Sequence, residues 1–141
     1  MKKELMKSMI QEHELIETLL DNFERQHNKN PSAAKKIFRA FVWNLEKHIF
    51  LEEKIFYSVY SVWNENIGDI FEVLRDHGDI LLLVKKIQNS DFSEEDLSTL
   101  KNLIKDHFIT EEMVIYPKLE RELDEEQRTF FLERSNDILI A

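Results

Sequence analysis

Two ten-residue stretches of this chain pair an imidazole with a carboxylate at the spacing of one helical turn. The first is His48-Ile49-Phe50-Leu51-Glu52-Glu53-Lys54-Ile55-Phe56-Tyr57. The second is His107-Phe108-Ile109-Thr110-Glu111-Glu112-Met113-Val114-Ile115-Tyr116. The His, both Glu and the Tyr fall at matching positions. On a helix, residues four apart lie about 40° apart around the axis and roughly 6 Å apart along it. Each stretch can therefore offer an imidazole nitrogen and a carboxylate oxygen to one point. That is a metal-ligand pair, present in duplicate.

Helices must hold these residues, and the composition supplies them. The chain has 141 residues, 43% hydrophobic and 33% charged, with only two Gly and two Pro. That is too little turn material for an all-β fold and enough length for one domain, spanning residues 1–141, with a real core. A first helix is expected from about Lys3 to Gln26, with the stripe Met6, Met9, Ile10, Ile16, Leu20, Phe23 and with His13 inside it. Asn28 to Ser32 makes a turn, and Pro31 and Ser32 suit a helix start. The second helix runs to about Trp63, with the inner stripe Phe38, Phe41, Leu45, His48, Glu52, Ile55, Val59. Asn64 to Gly68 makes the next turn. The third helix carries Ile70, Phe71, Leu74, His77, Leu81 and Val84. Asn89 to Ser93 makes the third turn, and Ser93 with Asp96 reads as a capping box. The fourth helix carries Leu97, Leu100, Ile104, His107, Glu111, Val114 and Leu119, and Pro117 should bend it or end it one turn later. The bundle then occupies about residues 3–123. A short helix follows over about 124–139, with Phe130, Phe131, Leu132 and an apolar end at Ile138-Leu139-Ile140.

Long amphipathic helices joined by short turns predict an all-α, up-down-up-down four-helix bundle. In an antiparallel hairpin, residues equidistant from the turn lie side by side. The midpoint of His13 and His48 falls between Asn30 and Pro31, and that of Glu52 and His77 between Asn64 and Glu65. The midpoint of His77 and His107 is Phe92. His13, His48, Glu52, His77, His107 and Glu111 are therefore expected at one level, on inward faces, with two His and one Glu from each hairpin.

Two carboxylates buried together require cations. Four imidazoles and two carboxylates match two metal ions, with Glu52 and Glu111 as bridges and two His on each ion. Mixed nitrogen and oxygen ligation without thiolate suits iron or manganese, with zinc possible. If a water-derived oxygen also bridges, each octahedral ion keeps one open position, which suits small-ligand binding. Other polar residues read as bystanders. Glu17 is expected in a rim or outer role. Glu53 and Glu112, five residues after their His, are alternative carboxylates expected in solvent. Glu24 and His27 are expected at the surface. Tyr57 and Tyr116, half a turn from their His, are expected at the rim or in packing. Asp76 and Asp106 are expected as solvated charges.

The set His13, His48-x-x-x-Glu52, His77, His107-x-x-x-Glu111 resembles the hemerythrin-like, HHE cation-binding family over roughly Met6 to Leu123. Oxygen-carrying hemerythrin has a second His on the third helix, where this chain has Val73 or Leu81. It also has an Asp five residues after the last His, where this chain has Glu111 four after. The four-His, two-Glu set is closer to the di-iron domain of repair-of-iron-centres proteins, whose cysteine-containing domain has no counterpart in this cysteine-free sequence. The resemblance implies two iron ions, carboxylate- and oxo-bridged, with manganese or zinc less favoured.

A net charge of −9 argues against nucleic acid and anionic membranes as partners. Without cysteine there is no disulfide and no thiolate chemistry. The sequence shows no signal peptide and no membrane-spanning run, so the cytoplasm is the expected compartment. Trp43, Phe50 and Tyr57 make a second apolar stripe on the back of the second helix. It is expected to be covered by Phe130 and Phe131, with a homo-oligomer interface as the alternative. The expected function is to bind or reduce a small diatomic or peroxidic ligand (oxygen, nitric oxide or peroxide) with electrons from an external donor. Oxidative or nitrosative stress and iron-centre repair are the settings. An iron reservoir, an oxygen carrier and an oxygen or iron sensor are the non-enzymatic alternatives, and a metal-free interaction bundle is a third class.

Overall fold

The computed structural model describes the backbone of residues 2–57, 68–89 and 92–140, and the side chains of 6–54, 71–89 and 92–134. The expected second turn, the end of the second helix past Tyr57, Ser90 and Asp91 of the third turn, and the side chains of Ile55, Tyr57, Val59, Ile70, Ile138, Leu139 and Ile140 lie outside the described residues. Helix α1 spans Lys2–Gln26. Helix α2, Pro31–Leu51, starts from Asn30, whose side chain accepts from the Ala33 N–H at 3.2 Å while Pro31 occupies the first turn. It passes without a break into a π-helical turn, π1, Glu52–Tyr57. Helix α3 spans Gly68–Gln88. Helix α4, Glu94–Thr110, opens with the expected capping box. The Asp96 N–H donates to Ser93 Oγ at 3.1 Å, and the Ser93 N–H to Asp96 Oδ2 at 3.0 Å. A second π turn, π2, Glu111–Ile115, joins α4 to α5, Tyr116–Glu122. Helix α6 spans Glu125–Ile140 and is capped at Asp124 by the same reciprocal device, with Gln127 as partner.

Helix α1 packs on α2, α3 on α4, and α1 on α4 and α5, which makes the expected antiparallel helical bundle. The fourth helix ends at Glu122, a little over one turn after Pro117, near the end expected for it. Pro117 sits in the first turn of α5, just past π2, where its missing N–H costs little.

The core is in two parts. Ile16, Leu20, Phe23, Phe38, Phe41, Leu45, Ile80, Val84, Leu97, Leu100 and Ile104 fill the end that carries the first and third turns. Met6, Met9, Leu51, Val73, Ile115, Tyr116, Leu119, Leu123 and Phe131 fill the other. Phe131 therefore plugs the bundle end from α6, whereas the sequence predicts that Phe130 and Phe131 cover the back of α2. Trp43 is 67% exposed and Phe50 49%. Arg128 locks α6 in place by donating to the Glu120 and Leu123 carbonyls at 3.0 and 3.1 Å, at the end of α5 where a cation is favoured. The α3 stripe also differs from expectation. Val73, His77, Ile80, Val84 and Ile87 face inward, while Phe71 and Leu74 are exposed and Leu81 half-buried. Helix α3 is apolar on more than one face, so its periodicity alone does not choose between them.

Candidate metal centre

Between the two apolar clusters lies a polar layer. His13 comes from α1, His48 from α2, Glu52 from the start of π1, His77 from α3, His107 from α4 and Glu111 from the start of π2. All six are buried, none more than 3% exposed. Each Glu N–H still bonds back to the His carbonyl four residues earlier, so the His-to-Glu step is an ordinary α-helical turn. His48 Nε2 lies 3.5 Å from Glu52 Oε1, and His107 Nε2 lies 3.5 Å from Glu111 Oε2. Across helices, His13 Nε2 is 3.0 Å from His48 Nε2 and 3.1 Å from Glu111 Oε1. His77 Nε2 is 3.2 Å from Glu52 Oε1 and 4.0 Å from Glu111 Oε2.

The six side chains form two groups, His13-His48-Glu52-Glu111 and Glu52-His77-His107-Glu111. In each, one donor atom per residue lies within 4.8 Å of all the others. The groups share Glu52 and Glu111, as a carboxylate-bridged pair of cations requires. The donor chemistry fits such a pair. Two buried carboxylates need compensating charge, and the Nε2 of His107 is buried with no hydrogen-bond partner.

The outer nitrogens make a ring that sequence reading missed. Glu112 Oε2 accepts from His13 Nδ1 at 2.8 Å, and Glu12 Oε2 from His48 Nδ1 at 2.6 Å. Glu53 Oε2 accepts from His77 Nδ1 at 2.7 Å, and Asp76 Oδ2 from His107 Nδ1 at 3.1 Å. Each carboxylate comes from the helix next to its histidine, so the pairs run once around the bundle, first helix to second, second to third, third to fourth and fourth to first. A proton held on Nδ1 leaves the Nε2 lone pair facing inward, the form a cation needs. Glu53 and Glu112 are thus half-buried partners rather than solvent-exposed groups, and Asp76 is paired, whereas Asp106 is exposed as expected. Each ring member sits beside an inward residue in sequence: Glu12-His13, Glu52-Glu53, Asp76-His77, Glu111-Glu112. That repeated doublet is the signal that could have revealed the ring.

Tyr116 also departs from expectation. It is 2% exposed, and its hydroxyl donates to Glu52 Oε2 at 2.5 Å and lies 3.1 Å from His13 Nε2. Nine α-helical residues after His107 make two and a half turns, which would point Tyr116 away from the site. The wider π2 turn absorbs about one residue and brings it back. The same shift exposes Val114 and buries Ile115. Glu17 joins neither donor group, and burial pushes its carboxyl pKa up. Glu24 pairs with Lys101 at 2.6 Å, and His27 with Glu94 at 3.1 Å, so those two do not act together.

In the metal-free protein three imidazoles of the layer, those of His48, His77 and His107, hold their protons more tightly than a free imidazole does. Burial alone would lower the His48 pKa, but the charge of Glu52 and the hydrogen bonds that His48 gives to Glu12 and Glu52 outweigh it and push it up to about 10. His107 is likewise pushed to about 9 against burial, chiefly by Glu111. His77 is raised against burial by Glu52. Burial would raise the Glu52 carboxyl, yet His48 and the hydrogen bonds around it hold it well below the usual carboxylate range.

A family model described as the hemerythrin HHE cation binding domain matches residues 4–119, a span that holds all six inward donors and the whole outer ring. Comparison with curated proteins and with solved structures finds no match. With most of its length under that model and a matching His/Glu cluster at its centre, the chain belongs to the hemerythrin HHE cation-binding family.

Proposed function

We propose that this chain is a non-haem di-iron protein that binds or reduces a small diatomic or peroxidic ligand. The observation that carries the reading is the sharing of Glu52 and Glu111 by the two four-donor groups. His13 and His48 would hold one ion, His77 and His107 the other, with both carboxylates common to the pair. An iron pair so held supplies a binding place for a small ligand and electrons for its reduction. The chain's own residues shape that chemistry. The outer carboxylates orient the four rings and keep Nδ1 protonated. The two apolar clusters and Phe108, stacked flat on His13 with centroids 3.6 Å apart, exclude bulk water. Sustained turnover requires an external electron donor, since the cysteine-free chain has no thiolates for a cluster of its own.

Loading with ferrous iron under argon should saturate at about two equivalents per chain, the count a carboxylate-bridged pair demands. The optical spectrum should then change on adding oxygen, peroxide or nitric oxide. Saturation at one equivalent would sink the di-iron reading. Two equivalents with no catalytic consumption of any of the three ligands, reductant present, would turn the reading to a reservoir or sensor.

A further inference from the structure

Among the described residues, Tyr116 brings a phenol into the ligand layer beside the six inward donors. Its oxygen lies 2.5 Å from Glu52 Oε2, 3.1 Å from His13 Nε2 and 3.4 Å from Glu111 Oε1. All three belong to the same four-donor group, the one completed by His48. Within that group His13 Nε2 is itself 3.0 Å from His48 Nε2 and 3.1 Å from Glu111 Oε1. Donors on adjacent corners of an octahedron with bonds of about 2.1 Å stand about 3 Å apart. The phenol oxygen stands near that spacing from His13 Nε2, at 3.1 Å, and from Glu111 Oε1, at 3.4 Å, and is hydrogen-bonded to Glu52. With its proton directed at Glu52, the phenol oxygen is crowded against His13 Nε2 and Glu111 Oε1, and a cation among these three acceptor atoms would stabilise the arrangement.

We propose that Tyr116 is a fifth protein donor to the ion held by His13, His48, Glu52 and Glu111, ligating ferric iron directly as phenolate. The proposal rests on the di-iron reading above. On ligation the O–H bond is replaced by an oxygen–iron bond and the proton leaves to solvent, with no change in oxidation state. The consequence is an unequal pair. Tyr116 occupies the position on the first ion that sequence reading leaves open, so exogenous ligands exchange at the ion held by His77 and His107. The π2 turn is the backbone device that makes this possible, because it alone rotates Tyr116 inward.

The test is the spectrum of the iron-loaded chain after oxidation with ferricyanide, with iron content measured on the same sample. Ferric phenolate gives a visible charge-transfer band, and excitation into it enhances tyrosinate ring modes in the Raman spectrum. Both are expected in the native diferric protein, absent from the diferrous form, and lost in Tyr116→Phe. The chain's three tyrosines are Tyr57, Tyr60 and Tyr116. A Tyr57→Phe/Tyr60→Phe variant should keep the band and assigns it to Tyr116 even if Tyr116→Phe does not fold. A native diferric protein with two irons and no tyrosinate modes overturns the proposal and leaves the di-iron reading intact. So does a band that survives in Tyr116→Phe or vanishes in the double variant. Failure of the native chain to hold two irons overturns both.

Discussion

A histidine that must ligate through Nε2 needs its Nδ1 proton held in place, and this chain meets that need four times with carboxylates borrowed from neighbouring helices. Glu12 illustrates the effect, accepting from His48 Nδ1 at 2.6 Å. Glu12→Gln keeps an acceptor but removes the charge, and Glu12→Ala removes both. Metal affinity, measured by competition with a chelator, should fall in that order, by about 10- to 100-fold for the alanine variant. Equal affinity in all three proteins would show the ring to be incidental. The six inward residues were legible because two repeated His-x-x-x-Glu steps and the midpoints of three turns bring them to one level. The ring was not, because each member reaches across to a different helix, a relation that same-helix periodicity does not contain. Counting on an ideal α-helix puts Glu53 and Glu112 in solvent, because five residues turn a side chain away from the stripe.

At the level of elements, the deviations around the fourth helix have one source, the π turn that follows its metal-layer residues. Both π turns start on the Glu of a His-x-x-x-Glu step, Glu52 and Glu111, so the turn that faces the buried layer stays α-helical and the change of register falls just after it. This register change seats Tyr116, buries Ile115 and exposes Val114. Nothing in residue type or hydrophobic period marks such a turn, so α-helical counting is right up to Glu111 and wrong beyond it. Pro117 is the one local hint, since it has no N–H to give to an α-helical ladder. Helix α6 then closes the bundle end through Phe131, which is fully buried. Phe131→Ala should cost about 3–5 kcal/mol in denaturant unfolding, as for other large core truncations. Asp124→Ala, which removes only the cap of α6, should cost about 1 kcal/mol. If the two variants were equally mild, α6 would contribute little to the fold.

For the whole molecule, the buried layer links folding to both protons and metal. In the metal-free state, His48 and His107 carry pKa values of about 10 and about 9 against an ordinary 6.5. A folded-state pKa raised above the unfolded value stabilises the fold fully below pH 6.5. That contribution is lost as pH rises through the folded values. Glu52 acts in the opposite sense. Its depressed pKa stabilises above the ordinary 4.5 and is lost as pH falls below it. The metal-free chain should therefore be most stable between about pH 4.5 and 6.5, and should weaken steadily from there towards pH 10. Cations reverse the alkaline trend. They need the imidazoles neutral, so binding displaces protons and tightens as pH rises. Binding to the native state alone then adds stability in proportion to that affinity. The gap in Tm between metal-loaded and metal-free protein should widen from pH 6 to pH 8.5. Zinc in place of iron keeps oxidation out of the measurement. Thermal unfolding of both forms across that range is the check. A gap that stayed constant or narrowed with rising pH would mean that metal and protons do not compete for the imidazoles of His48, His77 and His107.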